Sequence, residues 1–281
     1  MAVCIAAISG GVDSVVLLHM LSQGRDEIIV AHADHGIRDD SAADARFVRA
    51  LAASYGYPYE EAQLQLGPSA SEQQAREARY EFLFDVARPS GGVVITAHHG
   101  DDLLETVAIN LARGTGWRGL AVLNRPGIER PLLGYSKADL YNYALKHQLE
   151  WVEDKTNHDM RYLRNKIRAS LGARVPKKER LKLLDLRNQQ VGLARQILAE
   201  QQPFLTQNLF TRHLLNQVNN EVAVELLGTY IEQQTGTRPT RPQLERALIA
   251  VKTAKPRTIH HVGAHVQLVF STRALSVEVV K

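Results

Sequence analysis

The 281-residue chain holds a single cysteine, Cys4, inside its first apolar segment, which excludes an internal disulfide and makes the cytoplasm the expected compartment. No apolar run approaches the length of a membrane span, so no membrane partner is expected. The opening stretch, Met1 to Ile8, lacks the basic lead and the cleavage site of a signal peptide. The pattern GxxxxGK followed by Ser or Thr is missing too, which disfavours γ-phosphate transfer by that route. Internal repeats and low-complexity segments are equally absent. What is present is ordinary for a globular protein, with 44% hydrophobic and 23% charged residues, enough chain for one large and one small domain.

Charge is unevenly spread. The net charge is +4, yet Arg161 to Arg195 alone carries eleven Lys or Arg against Glu179 and Asp185, so the rest of the chain is net negative. Such a block is either a solvated helix face or a contact for nucleic acid.

The periodicity predicts strands at Val3–Ile8, Ile28–Ala31, Tyr59–Leu66 and Val93–Ala97. Helices are expected near Val15–Leu21, Asp39–Tyr55, Ser71–Val86, Asp101–Arg113 and Ser136–His147. This alternation implies an α/β fold, a doubly wound, mainly parallel sheet with helices on both faces. Polar clusters follow Ile8, Ala31 and Ala97, each at the carboxyl end of a strand, where ligands of such sheets bind. The three clusters are therefore expected to converge on one site. Helices dominate from Tyr162 to Ala199, recur at Asn219–Gln234 and Arg241–Lys252, and give way to a hairpin, Val266–Ser271 with Ala274–Val280. The expected domains are residues 1–173 and a smaller, mostly helical one with the terminal hairpin, residues 178–281.

In the first cluster, Ser9-Gly10-Gly11-Val12-Asp13-Ser14, two glycines allow close backbone approach, and two hydroxyls stand beside the free N–H groups of a helix start. That is a seat for phosphate. His32 and His35 in the second cluster lack a cysteine or glutamate at ligand spacing, a poor set for zinc. Arg76, Arg79 and Tyr80 are spaced i, i+3 and i+4 on one helical face, as are Arg161, Arg164 and Arg168. Asp101 and Asp102 fall in a first helical turn, where capping explains one acid but not both together with Glu105.

As spelled, Ser9 to Ser14 resembles the SGGxDS signature of the PP-loop superfamily, the N-type ATP pyrophosphatases, an adenine nucleotide alpha hydrolase-like fold. Within it, His32-x-Asp34-His35 with Arg38, Ala75 to Leu83, Thr96-Ala97-His98-His99-Gly100-Asp101-Asp102 with Glu105-Thr106, Arg113-Gly114-Thr115-Gly116 with Gly119-Leu120, and Asp154 to Arg168 are similar, in order, to the tRNA(Ile)-lysidine synthases. Leu103 departs from the glutamine usual in that family. The resemblance covers about Val3 to Leu171.

It implies a ligase that adenylates the wobble cytidine of an isoleucine tRNA with a CAU anticodon, releases pyrophosphate, and adds L-lysine with loss of AMP to give lysidine. ATP would lie on Ser9 to Ser14, His32, Thr96, Ala97, Gly114 and Thr115, with Mg²⁺ held partly by Asp13. Asp34 and Arg113 would be catalytic, the first as a candidate general base and the second facing phosphate charge. Asp101, Asp102 and Glu105 would receive lysine. Arg38, Arg76, Arg79, Tyr80, Arg161, Arg164, Asn165 and Arg168 would meet the tRNA. The alternatives are an NAD synthetase-like or tRNA-thiolating member of the superfamily, or a non-catalytic tRNA-binding module; a homodimer stays open.

Overall fold

A computed structural model of the chain describes residues 3–24, 27–34, 41–64, 71–153, 175–206, 210–263 and 265–280. The chain divides into two compact units, Met1–Ile109 with Val122–Arg187, and Asn110–Ala121 with Asn188–Lys281.

The first unit is built on five parallel strands, β1 (Cys4–Ala7), β2 (Ile28–Asp34), β3 (Tyr59–Gln63), β4 (Val93–Ile95) and β5 (Ile128–Glu129), in the order β3-β2-β1-β4-β5. Its helices are α1 (Val12–Ser22), α2 (Ser41–Ser54), α3 (Glu72–Ala87), α4 (Gly100–Ala112) and α5 (Lys137–Lys146), followed by the start of α6 (Lys177–Thr206).

Period-two alternation in β1 assigns the layers. Cys4, Ala6 and Ile8 pack with α1, with Val48 and Ala52 of α2, and with Leu140 and Ala144 of α5. Ile5 faces the other way, against Tyr80, Leu83 and Ala87 of α3 and Val94 of β4. Helix α1 buries Val12, Ser14, Val15, Val16, Leu17, Leu18 and Leu21, because it lies under one sheet face and against α5. Local sequence sets the helix starts. Ser71 with Gln74, and Ser136 with Asp139, form reciprocal capping boxes ahead of α3 and α5.

Strand order decides where a ligand can sit. From β1 the chain builds outward to β2 and β3, then returns to place β4 on the opposite side of β1. The carboxyl ends of β1 and β4 therefore diverge into different connections and leave a crevice. Ser9–Ser14 leaves β1 there, and Thr96 to Glu105 leaves β4.

The second unit packs the rest of α6, α7 (Arg212–Gln217), α8 (Asn220–Thr235) and α9 (Arg241–Thr253) with an antiparallel sheet, β6 (Ile259–His261), β7 (Val266–Phe270) and β8 (Leu275–Val279). Its core joins Leu226, Leu227 and Ile231 of α8 to Leu244, Ala247 and Val251 of α9 and to Val266, Leu268 and Phe270 on the inward face of β7. The expected hairpin is present as β7 and β8. Strand β6 and helix α7 were not expected from the sequence; at three and six residues they are too short to show a period.

Candidate active site

Burial marks the site first. Nine described polar or charged residues are buried, and seven of them, Ser14, His32, Asp34, Thr96, His99, Asp101 and Glu105, come from the carboxyl ends of β1, β2 and β4 and the helix starts that follow. Buried polar groups are costly unless they are bonded, so their gathering at one end of a sheet signals a site.

The loop after β1 is held open toward a ligand. Gly10 adopts φ +91°, which only glycine accepts without strain. Its carbonyl accepts from the Val152 N–H at 3.0 Å. The Ser14 hydroxyl donates to the Gly11 carbonyl at 2.8 Å and also accepts from the Ser9 N–H at 3.2 Å. Gly11 is the N-cap of α1 and offers no side-chain acceptor; the Ser14 N–H donates to the Gly11 carbonyl at 3.0 Å, and the N–H groups of Val12 and Asp13 ahead of it make an anion seat.

The three strand ends are tied together. His32 Nδ1 lies 2.8 Å from the Ile8 carbonyl oxygen, which binds the end of β2 to that of β1. His99 joins β1 to β4, since its Nε2 lies 3.7 Å from Asp13 Oδ2 and 3.6 Å from Asp102 Oδ2. Asp102 also caps α4 by accepting from the His99 N–H at 2.9 Å. Glu105, one turn further along, is 2% exposed. Asp34 ends β2 at 9% exposure, on the same strand face as His32. Thus Asp13, Asp101, Asp102 and Glu105 form an acidic wall beside the anion seat. Among the described residues no set of three His, Cys, Asp or Glu could hold a metal unaided. Asp13 and Asp102 do suit Mg²⁺ brought in on phosphates, which asks the protein for only one or two carboxylates.

Beside that wall lies a cluster of opposite sign. The guanidiniums of Arg76, Arg79 and Arg125 lie 5.4, 5.5 and 4.5 Å from the centre of the Tyr80 ring. Arg76 Nη2 lies 3.5 Å from the Tyr80 hydroxyl, and Arg130 stands nearby with its Nη1 donating to the Leu123 carbonyl at 2.7 Å. Burial by itself would raise the phenol's pKa, but Arg76, Arg130 and Arg79 outweigh it, and the net shift is downward. Arg79 and Arg130 are lowered chiefly by their own burial, yet guanidinium keeps its proton. Arg125 pairs with Glu77 at 2.8 Å. His98 stands between the two regions. Burial pushes its pKa down to about 3, Asp102 opposing and Arg130, Arg79 and Arg76 adding to the fall.

Not every expected residue stands where its expected role needs it. Tyr80 is 1% exposed and its ring is covered, so it orders the arginines and shows no face to a base. Arg113, Gly114 and Thr115 fall in the second unit, Arg113 and Gly114 exposed. Their motif has a local logic: Gly114 and Gly116 take positive φ, Thr115 donates to the Asn110 carbonyl at 3.0 Å, and a Cβ on Gly119 would overlap the Thr115 hydroxyl. Arg38, Arg161, Arg164, Asn165 and Arg168 lie outside the described residues. The sequence reading missed Lys137, whose ammonium bonds Asp13, and Arg180, which bonds Asp101. It also missed Arg125 and Arg130. No local pattern could have shown them, because each partner is distant in sequence.

A model of the PP-loop domain matches residues 2–175, more than half of the chain. The chain belongs to the PP-loop family. Among its relatives, the tRNA(Ile)-lysidine synthase of Pseudomonas aeruginosa is 41% identical over 181 residues, 60% of this chain and 41% of that protein. The one from Novosphingobium aromaticivorans is 42% identical over 189 residues, 62% of this chain and 58% of that protein. This PP-loop chain therefore spans less than two thirds of either relative. The solved U34-tRNA thiolase NcsA from Methanococcus maripaludis shares the fold, with a TM-score of 0.55 at 16% identity over 68% of this chain and 72% of that one. No helix among the described residues is long and apolar enough to cross a membrane.

Proposed function

We propose that this PP-loop chain converts the wobble cytidine of an isoleucine tRNA with a CAU anticodon to lysidine. The C2 carbonyl oxygen attacks the α-phosphorus of ATP and pyrophosphate leaves. The lysine amine then attacks C2, the adenylated oxygen departs as AMP, and the amine loses a proton. The observation that carries this reading is the pairing, in one unit, of an acidic wall with an arginine cluster on either side of neutral His98.

Each region matches one demand of the chemistry. Pyrophosphate needs fixed N–H donors, which the start of α1 offers behind Gly10. An ammonium substrate needs carboxylates: Asp102 and Glu105 would meet it, while the expected Asp101 is already taken up by Arg180 and the Lys137 N–H and would add only its charge. Asp34 would take the proton that the amine gives up. RNA phosphates call for guanidiniums, and Arg76, Arg79, Arg125 and Arg130 supply a cluster with one close carboxylate among the described ion pairs, Glu77. Arg38, Arg161, Arg164, Asn165 and Arg168 would extend that contact. Mg²⁺, when bound through Asp13 and the phosphates, would neutralise charge on the leaving group. Cys4, the only cysteine, is 1% exposed within β1, so it is out of reach as a sulfur carrier for thiolation.

The test is to incubate the protein with ATP, labelled lysine and unmodified isoleucine tRNA. Label in the anticodon, with pyrophosphate release dependent on both lysine and tRNA, is expected. Pyrophosphate release indifferent to both would overturn the assignment.

A further inference from the structure

Arg180 takes no step in the chemistry above, yet it reaches into the acidic wall. It lies in the first turn of α6, past the PP-loop segment, and its Nη1 donates to Asp101 Oδ1. The pair is buried, with the side chains 13% and 9% exposed. Arg180 Nε donates to the Val175 carbonyl at 3.0 Å, which fixes the plane of the guanidinium. The other Asp101 oxygen accepts from the Lys137 N–H at 2.7 Å. A cation in a first turn opposes the helix dipole, so this side chain serves something other than α6.

Stability is a weak account of such a pair, because taking both ions out of water offsets most of what their attraction gains. Its place on α4 says more. Residues of a helix follow one another about 100° apart, so Asp101 and Asp102 stand on either side of Glu105, which is one turn further on. An ammonium on Glu105 can lean to either neighbour. Asp102 lies toward Asp13, since His99 Nε2 is 3.6 Å from one and 3.7 Å from the other, whereas Asp101 faces α5 and α6. One substrate thus has two directions to choose between, and the guanidinium closes the second.

Resting on the function proposed above, we propose that Arg180 is a positioning residue for the ammonium substrate: by occupying Asp101 it leaves the amine to Glu105 and Asp102, and so sets the direction from which the amine meets the adenylated cytidine. Arg180 acts through Asp101 and touches no reacting atom. Without the guanidinium, Asp101 is a buried carboxylate short of a cation, and the substrate's ammonium is the cation at hand. An amine drawn there is bound but misaimed, and misaim is costly for attack at C2.

Steady-state ligation at saturating tRNA, with lysine and ATP varied in turn, tests this on the native chain, Arg180→Met, Arg180→Lys and the double variant Arg180→Met with Asp101→Asn, each also followed by thermal melting. Unproductive binding lowers kcat and the KM for lysine by a common factor and leaves their ratio alone. Arg180→Met should lower both about fivefold or more, with the KM for ATP within about twofold of native. Arg180→Lys keeps a cation beside Asp101 and should show a smaller fall in both. The double variant removes the stray carboxylate and should bring kcat and KM back together, even where its melting temperature stays low. Native kinetics in Arg180→Met overturn the assignment of Arg180. So does a kcat that falls while the KM for lysine holds or rises, which would make Arg180 only a support for α4. Should Arg180→Met not fold, the double variant decides, since it buries no unpaired charge: kcat and KM near native are expected, and a lowered kcat overturns the assignment. Each of these outcomes leaves the proposed function standing. A native chain that ligates no lysine overturns both.

Discussion

His32 extends the backbone ladder between two strands with its side chain: its Nδ1 is 2.8 Å from the carbonyl oxygen of Ile8. A carbonyl can only accept, so Nδ1 carries the proton and Nε2 is left as the ring's other face to the site. The Ile8 N–H donates in turn to the Ala31 carbonyl at 2.9 Å. The ends of β1 and β2 are thereby fixed one residue before the Ser9 loop begins.

Removing that ring should loosen the loop from below. His32→Ala leaves the Ile8 carbonyl without this donor in a region where His32 is 4% exposed. A loss of about 1–3 kcal/mol is expected in urea unfolding at neutral pH. A change under about 0.5 kcal/mol would mean that the carbonyl finds another partner and that the ring is not what joins the strands.

Acid should expose the second histidine of the site. His98 has its pKa pushed down to about 3 in the folded chain against an ordinary 6.5. The unfolded chain therefore takes up the proton first as pH falls. Its penalty is absent above about pH 6.5 and grows toward pH 3, by up to about 1.4 kcal/mol per pH unit. His98→Gln removes this contribution, so the variant should gain on the native chain between pH 6.5 and 5 in denaturant midpoints. Parallel pH profiles would show that His98 is open to water when folded.

Such behaviour was only partly legible in the sequence. The Ser9–Ser14 loop, the helix that follows it and the capping residues Ser71 and Ser136 declare themselves locally, because turn and cap chemistry depends on residues three or four apart. The all-apolar Val3–Ile8 segment announces a buried strand but cannot say that Ile5 meets Tyr80 while Ala6 meets α1. That division depends on which helices cover which face. Strand β5 is two residues long, set between Gly127 at φ +76° and Arg130, and no period shows in two residues. Tyr80 has the same i+4 spacing from Arg76 whether it faces RNA or the core, so spacing alone left both readings open. The contacts of Lys137 with Asp13 and of Arg180 with Asp101 span 124 and 79 residues and leave no local trace.

The arginine cluster makes a separable claim about RNA. Arg76→Gln and Arg79→Gln should each weaken tRNA binding and flatten its dependence on salt, by about 0.7 in the log–log slope for each single-stranded phosphate that is no longer neutralised. Filter binding across a salt series reads both quantities. Tyr80→Phe keeps the packed ring but removes the hydroxyl that Arg76 reaches, and it should weaken binding less than either arginine change. Identical slopes for the native chain and both arginine variants would reduce the cluster to a cover for Tyr80.

The acids can be told apart by which substrate suffers. Asp13→Ala should abolish AMP formation and spare tRNA binding, since its carboxylate sits on the turn that seats phosphate. Glu105 is 2% exposed and one helical turn from Asp101, on the wall proposed to receive lysine. Glu105→Gln keeps the volume and removes the charge, so its main effect should be a higher lysine requirement, by about tenfold or more if the carboxylate meets the ammonium directly. The ATP requirement should move far less. Steady-state rates at saturating tRNA, with lysine and ATP varied in turn, separate the two. If the ATP requirement rises while that for lysine holds, Glu105 belongs to the nucleotide side, and the lysine contact falls to Asp102, since Asp101 is held by Arg180 and the Lys137 N–H.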